Sequence, residues 1–203
     1  MPISYTHKAI FIHIPKTAGT SIEKVLGIGG IQHKALRSHK ITNVDGIRCA
    51  PQHLTCSMLK ENEFSKPHWE NYFKFSFIRH PYTRVLSEYF WVKGKTKKGI
   101  EFKSNDFTDF LNTYYKRLDS DHKLSQYDYL TINGTLAIDF VGKFETLNDD
   151  FEKIKNKLNL SSSLPHTHKS SNKIEYLSVI SQKQKNKIYK LYEKDFFFFK
   201  YKK

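Results

Sequence analysis

Two short stretches of this chain combine the residue types that grip anions. The first, Ile14-Pro15-Lys16-Thr17-Ala18-Gly19-Thr20-Ser21, lies between an apolar run and a helical pattern. Backbone N–H groups at a loop-to-helix junction, reinforced by the helix dipole, favour a negative charge. Lys16 adds a point charge, Thr17, Thr20 and Ser21 offer hydroxyls, and Gly19 lets the backbone approach a ligand closely. This is not the Walker A order G-x-x-x-x-G-K-[ST], because the lysine precedes the glycine, and the spacing suits one phosphate better than a triphosphate. The second stretch is Arg79-His80-Pro81-Tyr82-Thr83-Arg84-Val85-Leu86-Ser87. An arginine fork with a serine hydroxyl is a good grip on a second phosphate. Taken singly, each stretch also reads as a capped helix with an incidental cation.

The elements that must carry these residues follow from the apolar pattern. Ala9 to Ile14 is nearly continuous and ends at Pro15, which suits a strand buried on both faces. Ile22, Val25 and Leu26 mark a helix that Thr20 or Ser21 can cap and that Gly27, Gly29 and Gly30 stop. Tyr72–Ile78 predicts a second strand and the residues from about Thr83 a helix. Arg79 and Ser87 can then face the carboxyl end of the sheet, where open α/β folds bind ligands. Leu136–Gly142 predicts a third buried strand. Further helices are expected near 56–60, 106–117, Phe151–Leu158 and Ile188–Tyr192, with Phe196–Phe199 packing on the sheet. Residues 93–105 read as an exposed basic loop and 161–171 as a serine-rich one. Strands alternating with helices indicate one α/β domain with a parallel sheet over residues 1–203.

Composition bounds the rest. Of 203 residues, 38% are hydrophobic and 15% aromatic, which is enough to bury a core and excludes wholesale disorder. No apolar run approaches the ~20 residues needed to span a bilayer. The first residues lack the basic and apolar regions of a signal peptide, so the expectation is a cytoplasmic chain, with peripheral membrane contact at most. Cys49 and Cys56 form no C-x-x-C and read as reduced thiols. A net charge of +14 favours an anionic partner: phosphate, sulfate, nucleic acid or acidic glycan. Lysine supplies nearly all of it and commonly makes a solvated surface, so the arginines at 79 and 84, within one motif, say more.

In their order and separation the two stretches resemble the sulfotransferase superfamily, and most of all its carbohydrate branch, with the heparan and chondroitin/dermatan enzymes and small bacterial relatives. The resemblance extends to Asp139-Phe140-Val141-Gly142-Lys143-Phe144-Glu145-Thr146-Leu147 and to Tyr192-Glu193-Lys194-Asp195-Phe196, and so spans nearly the whole chain. It implies a P-loop-NTPase-like central parallel sheet flanked by helices. It also implies a donor, 3′-phosphoadenosine-5′-phosphosulfate (PAPS), lying across the strand ends, with no metal required. Pro15, Lys16, Thr17, Ala18, Gly19, Thr20 and Ser21 would hold the 5′-phosphosulfate, with Lys16 on the bridging oxygen. Arg79 and Ser87 would hold the 3′-phosphate, and Lys169 and Ser170, in the polar loop His166–Ser171, would add a donor contact. The implied acceptor is a carbohydrate hydroxyl, with positive charge favouring an anionic glycan. His53 stands where small relatives carry a histidine and is the implied base, ahead of His13 and Glu23.

Two other function classes fit less of the chain. A P-loop kinase lacks its Walker A pattern, although Ile138-Asp139 imitates a Walker B acid. A nucleic-acid-binding module would rest on charge and aromatics alone, without an RNP, zinc-finger or KH signature, so no nucleic-acid partner is expected. A metal site on His166 and His168 has neither cysteine nor carboxylate nearby.

Overall fold

In the computed structural model, which describes residues 3–28, 49–93, 106–114, 121–165 and 179–203, the first apolar run forms the strand β2 (Ala9–Ile12). It pairs antiparallel with a two-residue edge strand, β1 (Ile3–Ser4), and parallel with β3 (Phe73–Ile78). A separate hairpin, β4 (Thr131–Ile132) and β5 (Thr135–Leu136), precedes β6 (Phe140–Lys143), which pairs parallel with β3. The main sheet therefore runs β1-β2-β3-β6. Its register, Ile12 opposite Ser76 and Ile78 opposite Lys143, brings the carboxyl ends of the three parallel strands to one edge.

Both faces of this sheet are covered, which is why β2 reads as unbroken apolar sequence. Ala9, Phe11, Phe75 and Phe77 pack against Ile22 of α1 (Gly19–Val25) and against Phe151 and Ile154 of a later helix, Leu147–Leu158. The alternate residues Ile10, Ile12 and Ile78 meet Cys56 and Leu59 of α2 (Cys56–Glu61) and residues Tyr129 and Leu130. The third helix, α3 (Pro81–Lys93), leads away from the end of β3. The remaining helices are α4 (Phe107–Asp109, continued as a π turn through Tyr114), α5 (Gln126–Leu130), α6 (Leu147–Leu158), α7 (Gln182–Leu191) and α8 (Glu193–Phe198). Tyr82, Val85 and Tyr89 of α3 join Phe110, Ile188, Tyr192 and Phe196 in a satellite core.

Several boundaries differ from expectation, each for a local reason. Leu136 to Gly142 is not one strand. Asn133 and Gly134 both have positive φ (51° and 80°), as a two-residue hairpin turn requires, so Leu136 belongs to that hairpin. Asp139 then turns the chain into β6, its N–H donating to the Lys74 carbonyl (2.9 Å) and its carboxylate accepting from the Lys74 N–H (2.7 Å). α1 begins at Gly19 on a left-handed Ala18 without a side-chain cap, so neither Thr20 nor Ser21 caps it. α3 begins at Pro81, ahead of Thr83, since proline has no N–H to leave unbonded in a first turn. The tail is itself helical: Phe196 and Phe199 are buried, whereas Phe197 is 88% exposed. The basic loop beyond Lys93, residues 115–117 and the loop at 166–171 lie outside the described residues. Both cysteines are buried and unpaired, and burial pushes the Cys49 thiol up to about 12. No helix among the described residues is long and apolar enough to cross a membrane.

Candidate functional site

The chain leaves β2 through a turn with two left-handed residues. Lys16 and Ala18 both take left-handed φ (71°), which non-glycine residues adopt rarely. Thr17 is wholly buried and its hydroxyl donates to the Ile14 carbonyl (2.8 Å). That corrects one expectation: Thr17 latches the turn, and only its N–H remains for a ligand. The N–H groups of Thr17, Ala18, Gly19 and Thr20 meet no acceptor among the described residues. A run of N–H groups through left-handed backbone into a helix start is an anion nest. Thr20 is exposed and Ser21 half-buried beside it.

Gly19 is required for a reason besides ligand approach. A Cβ there would fall inside the His13 imidazole, 2.6 Å from Cε1 and nearer still to Cδ2 and Nε2. His13 is in turn pinned by an Nδ1 contact to Glu23 Oε1 at 2.8 Å, both side chains buried. Gly19→Ala must therefore expel a buried ring. It should destabilise the fold by about 1–3 kcal/mol, read as a lowered urea midpoint with an unchanged m-value. A midpoint equal to the parent would mean that His13 does not lie against α1.

Arg79 leaves the end of β3 into a tight cradle. Its Nε donates to Thr83 Oγ1 (3.1 Å), its Nη1 donates to the Lys16 carbonyl (3.3 Å), and the Phe144 ring lies 4.1 Å from Cζ. The Arg79 peptide is bracketed by the Gln126 amide, which accepts from its N–H (2.7 Å) and donates to its carbonyl (2.8 Å). Arg84, one turn into α3, donates to the Pro15, His122 and Leu124 carbonyls. It ties the 15–20 turn to the 121–125 segment. Ser87 is half-buried, one turn after Thr83 and one turn before Trp91, with no partner for its hydroxyl among the described residues. Lys16 Nζ lies 5.1 Å from the Trp91 ring centroid, so the face of α3 bearing Thr83, Ser87 and Trp91 meets the lysine turn.

Three imidazoles gather beside this turn, each with Nδ1 2.8 Å from a carboxylate: His13 with Glu23, His53 with Asp121, and His122 with Glu88. The His53 ring packs edge-on against both His13 (4.7 Å between centroids) and His122 (5.2 Å), and His122 stacks on Trp91 (5.1 Å). His53 is thus linked to Lys16 through two aromatic rings. Burial pushes the His53 pKa down to about 4, against the upward pull of the Asp121 hydrogen bond. Burial alone would raise the Asp121 carboxyl, but the His53 hydrogen bond and charge and the Ala50 N–H outweigh it and hold it below the ordinary range. The pair at neutral pH is a carboxylate accepting Nδ1–H from a neutral imidazole. Among the described residues its Nε2 meets the Gln52 amide nitrogen, at 3.4 Å. An imidazole so held can accept a proton at Nε2.

His13 and Glu23, expected as second choices for the base, spend themselves on each other and on Gly19. His53, Asp121 and His122 also present ligand atoms within 4.8 Å of one another. Lys169 and Ser170, like His166 and His168, fall outside the described residues. Sequence reading missed Asp121, His122, Glu88, Trp91, Arg84 and Gln126 as site residues. For those on α3 a signal existed: Glu88 and Trp91 follow Arg84 at four and seven residues, one helical face. Asp121, His122 and Gln126 carried no local signal, since what they contact is distant in sequence.

Comparison with known proteins agrees with this architecture. A family model described as "Sulfotransferase family" matches residues 1–202. The chain is similar to "Carbohydrate sulfotransferase 11" of Danio rerio, at 24% identity over 235 aligned residues, and to that of Rattus norvegicus at 23%. Each alignment covers 96% of this chain but only 65% of the relative, so the chain spans a little under two thirds of their length. An uncharacterised protein of Archaeoglobus fulgidus is 30% identical over 108 residues, covering 51% of this chain and 81% of that protein. No solved structure matches.

Proposed function

Since the chain belongs to the sulfotransferase family, we propose that it moves a sulfuryl group from PAPS to a hydroxyl of a carbohydrate, with an anionic glycan as acceptor. One observation carries the reading. A turn with four N–H groups that meet no acceptor among the described residues, and with a lysine, lies at the same sheet edge as a buried arginine, whose Nη1 reaches that turn's carbonyl at 3.3 Å. Two single-anion grips side by side fit a nucleotide with phosphates on both the 3′ and 5′ positions better than they fit a triphosphate.

In this reading the nest at Thr17–Thr20 and Lys16 hold the 5′-phosphosulfate, while Arg79 and Ser87 hold the 3′-phosphate. The acceptor oxygen forms a bond to sulfur as the bond from sulfur to the 5′-phosphate oxygen breaks. Lys16 meets the charge that grows on that leaving oxygen. His53 Nε2 takes the acceptor's proton, and Asp121 holds the ring in the tautomer that leaves Nε2 unprotonated. A sulfuryl group carries less negative charge than a phosphoryl group, so Lys16 and the nest N–H groups supply the compensation without a required metal. His122, paired with Glu88 and stacked on Trp91, packs edge-on against His53.

The first test is thermal shift with adenosine 3′,5′-bisphosphate, against ATP and against a DNA oligomer. Ligand at a hundredfold excess over Kd adds about 2.7 kcal/mol of stability. The bisphosphate should raise Tm, ATP should do so less, and Lys16→Ala should abolish most of the shift. A shift with DNA alone that collapses with salt would instead mark a nucleic-acid-binding protein. Transfer of labelled sulfate from PAPS across a glycan panel then identifies the acceptor.

A further inference from the structure

We propose that Gln126 and Asp195 are positioning residues for Arg79, and that they set the protein's preference for a nucleotide bearing a 3′-phosphate. The inference rests on the donor-site reading of Arg79 given above. Gln126 is wholly buried and bridges both polar groups of the Arg79 peptide, as a neighbouring strand would, at the point where the chain leaves β3. A side-chain amide can do this only one way round, with Nε2 toward the carbonyl and Oε1 toward the N–H. Asp195 enforces that choice. It is wholly buried on α8, and its Oδ2 accepts from the Gln126 N–H (3.1 Å) and from Gln126 Nε2 (3.3 Å), while Oδ1 accepts from the Tyr127 N–H (2.8 Å).

Among the described residues this carboxylate accepts only from these donors, so Nε2 faces it and Oε1 is left to the Arg79 N–H. The Arg79 guanidinium is then aimed from its clamped peptide toward the Thr83 hydroxyl, the Lys16 carbonyl and the Phe144 ring. The Tyr192–Phe196 segment, distant in sequence from both anion-gripping stretches, acquires a function in this way: it holds the arginine's peptide rather than touching a ligand.

The experiment is calorimetric affinity for adenosine 3′,5′-bisphosphate and for AMP, which lacks the 3′-phosphate, in the full chain and in Gln126→Met. The parent should prefer the bisphosphate. Gln126→Met should lose at least about tenfold of that preference, about 1.4 kcal/mol, with AMP affinity nearly unchanged. A merely structural lesion would lower both affinities in parallel, and that result, or an unchanged ratio, overturns the proposal. Should Gln126→Met fail to fold, the isosteric Gln126→Glu decides. It keeps the acceptor for the Arg79 N–H but sets an oxygen against both the Arg79 carbonyl and Asp195, so the same loss of preference is expected. A parent without any preference for the bisphosphate sinks the donor-site reading itself, and this inference with it.

Discussion

His53→Ala is expected to bind adenosine 3′,5′-bisphosphate like the parent and to transfer sulfate roughly 10²–10⁴-fold more slowly, the range that a positioned general base contributes. The separation of binding from turnover follows from the layout. His53 contacts Asp121, His13 and His122, whereas the donor-holding roles proposed above fall on the 15–20 turn and Arg79. Asp121→Asn should lose rate in the same direction with the bisphosphate shift retained, since it removes the charge that steadies an imidazolium at His53.

The pH profile carries a second signature. A base must be neutral to act, and burial depresses the His53 pKa to about 4. Transfer should therefore stay level from pH 7.5 down to about 5 and decline only below that, where an ordinary exposed histidine would titrate near 6.5. Unchanged turnover in His53→Ala would remove this residue from the mechanism. An acid limb centred near 6.5 would instead point to a more exposed imidazole.

Arg79→Ala should show the largest loss of donor binding. Truncating one partner of a desolvated, hydrogen-bonded charge pair costs about 2–5 kcal/mol, or roughly thirtyfold or more in Kd. Arg79 is only 8% exposed and stands over Phe144, so little solvent screens it. Arg79→Lys should rescue poorly, because an ammonium can neither span Thr83 and the Lys16 carbonyl at once nor lie flat on an aromatic ring. The readout is bisphosphate titration at low and moderate salt. Near-parental affinity in Arg79→Ala would place the 3′-phosphate elsewhere and undo the donor assignment.

The placement of Lys16 and Arg79 at the ends of β2 and β3 was legible in the sequence because each pattern is local. A lysine-bearing turn between an apolar strand and a helix, and an arginine at the next strand's end, are patterns spanning fewer than ten residues. Alternating strands and helices sufficed to place both at one sheet edge. Local patterning failed where backbone conformation decided the outcome, as at left-handed Ala18, which starts α1, and at Asn133–Gly134, which splits the expected third strand. It also overvalued the Thr17 hydroxyl, which tertiary packing turns inward to Ile14.

Only the fold could supply the partners. Asp121 lies 68 residues from His53 and Asp195 lies 69 from Gln126, and nothing in either neighbourhood announces the other. Burial makes these meetings matter: an imidazole or peptide group withdrawn from water must find its hydrogen bonds inside the protein. Residue types and short spacing determined where the lysine-bearing turn and the arginine fall along the chain. Desolvated pairing across the fold decided which carboxylate holds each histidine and how the arginine's peptide is held.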